Sequence, residues 1–257
     1  MISAQYKNER IDLSTLSTKA PPGLTKEGTK SELKSNIKAI GELQDKLYAQ
    51  QRHSVLLVLQ GMDASGKDGA VRAIFQKVTP SGIKAKSFKK PTDEEMAHDF
   101  LWRVHQHTPG KGIIQVFNRS HYEDVLIQRV HQWITEETVK KRYEHINNFE
   151  KLLTDSGTVV IKCFFHTSKE QQLIELNERL TAPDKHWKHN PNDFKEREHW
   201  DAYMKAYEDV FYYCSPEIPW HIIPADNRWY QRLILSKIVR ETIENLKPEY
   251  PPLKSND

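Results

Sequence analysis

Between Ser54 and Phe75 the chain reads SVLLVLQGMDASGKDGAVRAIF, and few folds accommodate that order of residues. Val55 to Leu59 is an unbroken run of Val and Leu, the pattern of a strand buried on both faces. Gly61 to Lys67 then spells G-x-x-x-x-G-K, and from Asp68 the pattern turns helical through Val71, Ile74 and Phe75. Strand, glycine loop and helix in that order mark a phosphate-binding loop. Its glycines let the backbone curl until several N–H groups converge, and the helix N-terminus adds partial positive charge. Gly61, Ala64, Ser65, Gly66, Lys67, Asp68 and Gly69 are therefore the expected cradle, with Lys67 neutralising phosphate oxygens. Asp68 stands where the common motif carries a Ser or Thr whose hydroxyl holds Mg²⁺. A metal has to be held by carboxylates instead, and Asp63 inside the loop is placed for that.

The rest of the chain alternates. Strand candidates begin at Val55, Lys84, Ile113, Val159 and Trp220. Helical patterns separate them, over about 30–51, 93–107, 122–133, 136–154, 170–180, 196–213 and 228–245. That order predicts a five-stranded, doubly wound parallel α/β sheet with helices on both faces, its ligands beyond the carboxyl ends of the strands. Its 257 residues suffice for one such domain with a full core. Residues 1–28 are polar, contain Pro21, Pro22 and Gly23, and read as an extended arm; 248–257 read as a tail. The sequence lacks an apolar run long enough to cross a membrane, and MISAQYK is not the start of a signal peptide. Cys163 and Cys214 make neither a disulfide framework nor a zinc pattern, so the expected location is the cytoplasm. A net charge of +3 is too small to argue for nucleic acid, and polyanion binding has to come from local clusters.

Such clusters exist. The third strand ends in NRSHYED, where Asn118 stands beside Arg119, whose planar fork suits phosphate oxygens. Asn118, His121, Tyr122 and Glu123 are candidate contacts to a nucleotide acceptor, and Glu123 joins Asp63 as a candidate metal ligand. Glu123 and Asp124 also open a helix, where compensation of the helix dipole is an equal explanation. Between residues 179 and 197 lie Arg179, Lys185 and Lys188 among Trp187 and two prolines, a basic, loop-like segment read as a lid over a transferring phosphate. Lys84, Lys86, Lys89 and Lys90 form a further cluster, either a groove for a long anion or a protected strand edge.

Together, GMDASGKDG at Gly61–Gly69, FNRSHYED at Phe117–Asp124 and PADNRW at Pro224–Trp229 resemble the polyphosphate kinase 2 family, over about residues 30–246. The resemblance implies a P-loop kinase-like fold and Mg²⁺-dependent, reversible phosphoryl transfer between inorganic polyphosphate and nucleotides, with Mn²⁺ able to substitute. It also implies a homo-oligomer without nucleic-acid or membrane partners. Carried over by position, Asp63 is the metal-binding or acceptor-orienting loop aspartate, Lys67 the phosphate lysine, Arg119 the arginine of the second motif and Arg179 the lid arginine. Other members have Asp at the place of Asn118. The form NRSHYED is similar to the subgroup that accepts both AMP and ADP. An ATP-dependent nucleotide or small-molecule kinase is the rival enzyme, and a nucleotide-binding switch without turnover the rival of another class.

Overall fold

Leu56 and Val58 pack into one hydrophobic core while Val55, Leu57 and Leu59 pack into another. A strand divided in that way has to lie in the middle of a sheet covered on both faces. The computed structural model describes residues 4–7 and 9–253, the first three of them by backbone alone. Among these the strands are β1 (Ala4–Tyr6), β2 (Ser54–Gln60), β3 (Ile83–Ser87), β4 (Ile114–Asn118), β5 (Thr158–His166) and β6 (Trp220–Pro224). They form one sheet in the order β1-β6-β5-β2-β4-β3. The five expected strands are parallel, with Leu57 of β2 opposite Val116 on one side and Ile161 on the other.

The helices are α1 (Lys26–Gln50), α2 (Lys67–Ile74), α3 (Asp93–Ala97), α4 (Trp102–His105), α5 (Ile127–Val130), α6 (Glu136–Asp155), α7 (Lys169–Thr181), α8 (Pro191–Glu196), α9 (Trp200–Tyr213) and α10 (Arg228–Asn245). On one face α1, α2 and α10 supply Ile40, Leu47, Ile74, Leu235 and Val239 to the core. On the other, α6 and α9 supply Tyr143, Ile146, Phe149, Val210 and Phe211. The doubly wound architecture follows, and it brings the carboxyl ends of the adjacent inner strands β2 and β4 together.

Four segments depart from the sequence expectation. The described part of the arm expected over 1–28 packs onto the domain: β1 pairs antiparallel with β6, and Leu13 is buried in the core. Glu208 accepts from the Leu13 N–H at 2.9 Å, and Asn227 accepts from the Ala20 N–H at 2.9 Å. Residues 1–3 and 8 of that arm, and 254–257 of the tail, lie outside the described residues. The single helix expected over 93–107 is two, because the Asp99 carboxylate accepts from the Leu101 and Trp102 N–H groups at 2.9 and 3.1 Å and starts a new turn. The helix expected from Tyr122 begins as a 3-10 turn, His121–Val125, before α5. The loop-like segment expected between 179 and 197 contains short helices, Pro183–Lys188 in 3-10 form and then α8. Both prolines stand at the first helical position, where a missing N–H costs nothing.

Candidate active site

The chain leaves β2 through Gly61 at φ +143° and enters α2 through Gly66 at φ +92°, with Ala64 between them also left-handed at φ +61°. Side chains are excluded at both glycines. A Cβ on Gly61 would lie 2.8 Å from the Phe165 carbonyl oxygen, and one on Gly66 would lie 2.6 Å from Arg228 Nη1. A loop that turns its N–H groups toward a ligand leaves carbonyls facing the protein, and these need donors. Arg228 donates to the carbonyl oxygens of Ser65 and of Ala64, the latter at 2.6 Å. Gln231 donates to the Ser65 oxygen at 2.7 Å, and Gln172 to the Asp63 oxygen at 3.1 Å. Glu175 of α7 balances the Arg228 charge at 3.1 Å. The PADNRW motif is thus the brace of the loop: Asp226 and Asn227 hold the N-terminal segment through Thr18 and Ala20, and Arg228 holds the loop.

Lys67 is folded into the loop, where its Nζ donates to Gly61 O at 2.6 Å, Met62 O at 3.1 Å and Ser65 Oγ at 3.2 Å. Burial lowers its pKa to about 8, against the opposing pull of Asp63. Arg119 follows β4 in a left-handed backbone at φ +60° and forms an ion pair with Asp63. Its other nitrogen is 3.9 Å from Glu123. Asp63 and then Glu123 raise the arginine pKa. Burial opposes ionisation of Asp63, but Arg119 and Lys67 outweigh it and its pKa is lowered. At Glu123 burial prevails over the same cations, and the pKa is raised. With the Gln60 amide nitrogen turned toward it, Glu123 accepts a hydrogen bond at 3.1 Å.

Two chambers meet at the Asp63–Arg119 pair. The smaller, 260 Å³, runs over the loop from Asp63 to Gly69 and is closed by Asn118, Arg119, Glu175, Arg179, Lys185 and Lys188. The larger, 780 Å³, takes in Phe88, Lys89, Lys90, Glu123, Ile127, His131, Trp133, Tyr203 and Tyr207. Among the described residues only Asp63 and Arg119 line both. Arg179 reaches the site from the end of α7, donating to Asp193 at 2.6 Å and to Lys188 O at 3.1 Å. Lys185 pairs with Glu178 at 2.6 Å.

Several expected positions fall elsewhere. His121 and Tyr122 are fully buried and line neither chamber. Tyr122 donates to Glu150 at 2.7 Å, and Lys162 pairs with Glu150 at 2.7 Å, so these residues belong to a polar knot in the core. Arg119 and Glu123 share the open side of the turn after β4, which sends the three residues between them, Ser120, His121 and Tyr122, inward. Asn118 lines the loop chamber rather than the larger one, and it donates to Asp68. Lys84 and Lys86 lie on the edge strand β3, separated from β2 by β4, and line neither chamber. Lys89 and Lys90 reach the larger chamber, not the loop. Asp124 lines the larger chamber, where Arg103 pairs with it at 3.1 Å. Arg228, Glu175 and Asp193 carried no sequence expectation; PADNRW was a signal for the first alone.

Among the described residues no three His, Cys, Asp or Glu side chains converge as a metal cage. Asp63 and Glu123 nevertheless both face Arg119, and two carboxylates suit a cation that takes its remaining ligands from water and phosphate.

Residues 23–251 match the family model described as Polyphosphate kinase 2. The AMP/ADP-polyphosphate phosphotransferase of Meiothermus ruber is 48% identical over 211 residues, covering 82% of this chain and 79% of that protein. The ADP-polyphosphate phosphotransferase of Rhodopseudomonas palustris is 41% identical over 259 residues, covering 95% and 90%. The crystal structure of polyphosphate kinase 2 from Arthrobacter aurescens TC1 superposes with a TM-score of 0.92 at 39% identity, covering 96% of this chain and 90% of that one.

Proposed function

The chain belongs to the polyphosphate kinase 2 family, and on that footing we propose that it transfers phosphoryl groups from inorganic polyphosphate to AMP and ADP, giving ADP and ATP. The observation that carries the reading is the pair of chambers joined at Asp63 and Arg119. Polyphosphate occupies the narrow, loop-lined chamber, and the nucleotide occupies the larger, aromatic one with its phosphates toward the junction. An acceptor phosphate oxygen forms the new P–O bond while the bridging P–O bond of the terminal polyphosphate unit breaks, and the shortened polyphosphate leaves. That oxygen is already ionised, so no general base is needed, and Asp63 serves the metal rather than a proton. One phosphoanhydride replaces another, which makes the reaction reversible.

Catalysis is then positioning and charge neutralisation. Lys67 and the loop N–H groups hold the donor phosphates. Arg119 spans donor and acceptor at the junction, and Arg179, with Lys185 and Lys188, covers the donor from residues 179–197, which act as a lid. Asp63 and Glu123 hold Mg²⁺, or Mn²⁺ in its place. When bound, the cation neutralises charge on the transferring phosphoryl group. We place the protein in the cytoplasm as a homo-oligomer; its two cysteines are free and buried, as a reducing compartment favours. No helix among the described residues is long and apolar enough to cross a membrane.

The test is an ATP-free reaction containing AMP, Mg²⁺ and purified long-chain polyphosphate. ADP followed by ATP is the expected product series. Formation of ADP only when ATP is supplied would assign the donor role to ATP and refute the reading.

A further inference from the structure

Along α10 most cations have a carboxylate. Arg228 has Glu175 at 3.1 Å, Lys237 has Glu32 at 2.7 Å and Arg240 has Glu244 at 2.7 Å. Arg232, one turn beyond Arg228, has none among the described residues, and its buried Nε lacks any hydrogen-bond partner. Arg72 lies on α2, the helix packed against α10, close enough for its charge to act on Arg232; it is exposed and also without an ion pair among those residues. Asp68 stands one turn before Arg72 on α2, but its carboxylate is committed to the Asn118 amide. Burial, then the charges of Arg228 and Arg72, lower the Arg232 pKa. Like charges gathered without acids repel one another, and such a group is held together at lower cost when an anion lies among it.

The place of this group gives the anion its identity. Gly69 lines the loop chamber, and a Cβ added to it would lie 3.6 Å from Arg232 Nη2. Arg232 therefore stands beside the Gly69 portion of the chamber wall, and Arg72 continues one turn further along α2. A nucleotide in the larger chamber cannot reach there. A linear chain of phosphates entering over the loop can.

We propose that Arg72 and Arg232 form a distal anchor for the donor, gripping phosphates several units away from the one transferred. The proposal rests on polyphosphate being the donor. It predicts a preference for long chains that resides in these two arginines, outside the reaction centre.

The experiment compares the wild-type protein with Arg72→Gln/Arg232→Gln, using AMP as acceptor and either long-chain polyphosphate or tripolyphosphate as donor, with melting temperatures recorded alongside. The double variant is expected to raise KM for the long chain about tenfold, as loss of charge-assisted contacts to a polyanion does, and to leave KM for tripolyphosphate within about twofold. The dependence of long-chain KM on salt should become shallower, since fewer counterions are released. Arg232→Lys, which keeps the charge, should stay close to wild type with the long chain. An unchanged long-chain KM, or an equal rise for both donors tracking a fall in melting temperature, overturns the anchor. A wild-type protein that uses neither donor but accepts ATP overturns the donor assignment itself, and the anchor with it.

Discussion

Replacing Lys67 by Met should abolish turnover and yet stabilise the free protein at neutral pH. The ammonium is buried among Gly61 O, Met62 O and Ser65 Oγ, and its pKa falls from 10.5 to about 8. At about 1.4 kcal/mol per pH unit, keeping that charge in the fold costs roughly 3 kcal/mol. Met removes the cost but leaves two backbone carbonyls without donors, at about 1 kcal/mol each. The net gain at pH 7 is on the order of 1 kcal/mol, a rise in Tm of about 2–4 °C for a chain of this size. The sign then changes with pH. Below pH 8 both folded and unfolded states hold the proton, and the penalty is complete. Between pH 8 and 10.5 the unfolded state binds more protons than the folded one, so the wild-type protein gains stability as pH rises. By pH 9.5 it has recovered about 2 kcal/mol, and the variant should be the less stable of the two. Thermal unfolding of both proteins at pH 7 and 9.5, with chelator and without nucleotide or polyphosphate, decides the matter. A stability difference that does not move with pH would falsify the buried, strained ammonium.

Two further perturbations address the neighbours of that lysine. Asp63→Asn keeps the shape of the loop but removes the charge that pairs with Arg119, so the Mg²⁺ concentration for half-maximal activity should rise about tenfold while polyphosphate KM changes less. An unchanged Mg²⁺ titration takes Asp63 out of the metal site. Tyr122→Phe deletes a buried hydroxyl that donates to Glu150 and accepts from Lys162 at 3.2 Å, which should cost about 1–2 kcal/mol of stability and leave KM for AMP untouched. A shifted AMP KM with an unchanged Tm would return Tyr122 to the acceptor site.

The central strands were legible because parallel strands buried on both faces read as unbroken apolar runs, as at Val55–Leu59. β1 was not. Three residues, Ala4–Tyr6, pairing antiparallel at the sheet edge, leave no apolar run and no alternation to read. The loop from Gly61 to Gly69 was legible for a related reason: its geometry is set by residues adjacent in sequence. What braces it is not local. Arg228 lies 164 positions from Ala64, and only the folded chain shows that its guanidinium faces the loop carbonyls. His121 and Tyr122 stand beside Arg119 in sequence, but the left-handed turn at Arg119 gives neighbouring residues opposite directions. Adjacency in sequence predicted a shared site there, and backbone geometry divided it. Along β3 the lysine alternation was legible, whereas its distance from the loop depended on strand order.

In the free protein the cations of the loop chamber are largely answered by acids of their own: Arg119 by Asp63, Arg179 by Asp193, Lys185 by Glu178. Phosphate binding is therefore an exchange of partners. On the proposed reading each arginine would gain a phosphate oxygen and give up a carboxylate, so the affinity gained per cation would be a difference between two similar interactions. Such a site would hold donor and product phosphates with comparable strength, which suits a reaction that runs in both directions. The exchange also has a direction of its own. When Arg119 turns to phosphate, the Asp63 carboxylate loses its principal partner beside Glu123, and two acids left together favour a divalent cation. Metal and phosphate would then enter cooperatively, each removing the charge that opposes the other. On the proposed reading Arg179 would follow the same logic: freed from Asp193 it would close on the donor, while Asp193 stays at the larger chamber proposed for the acceptor.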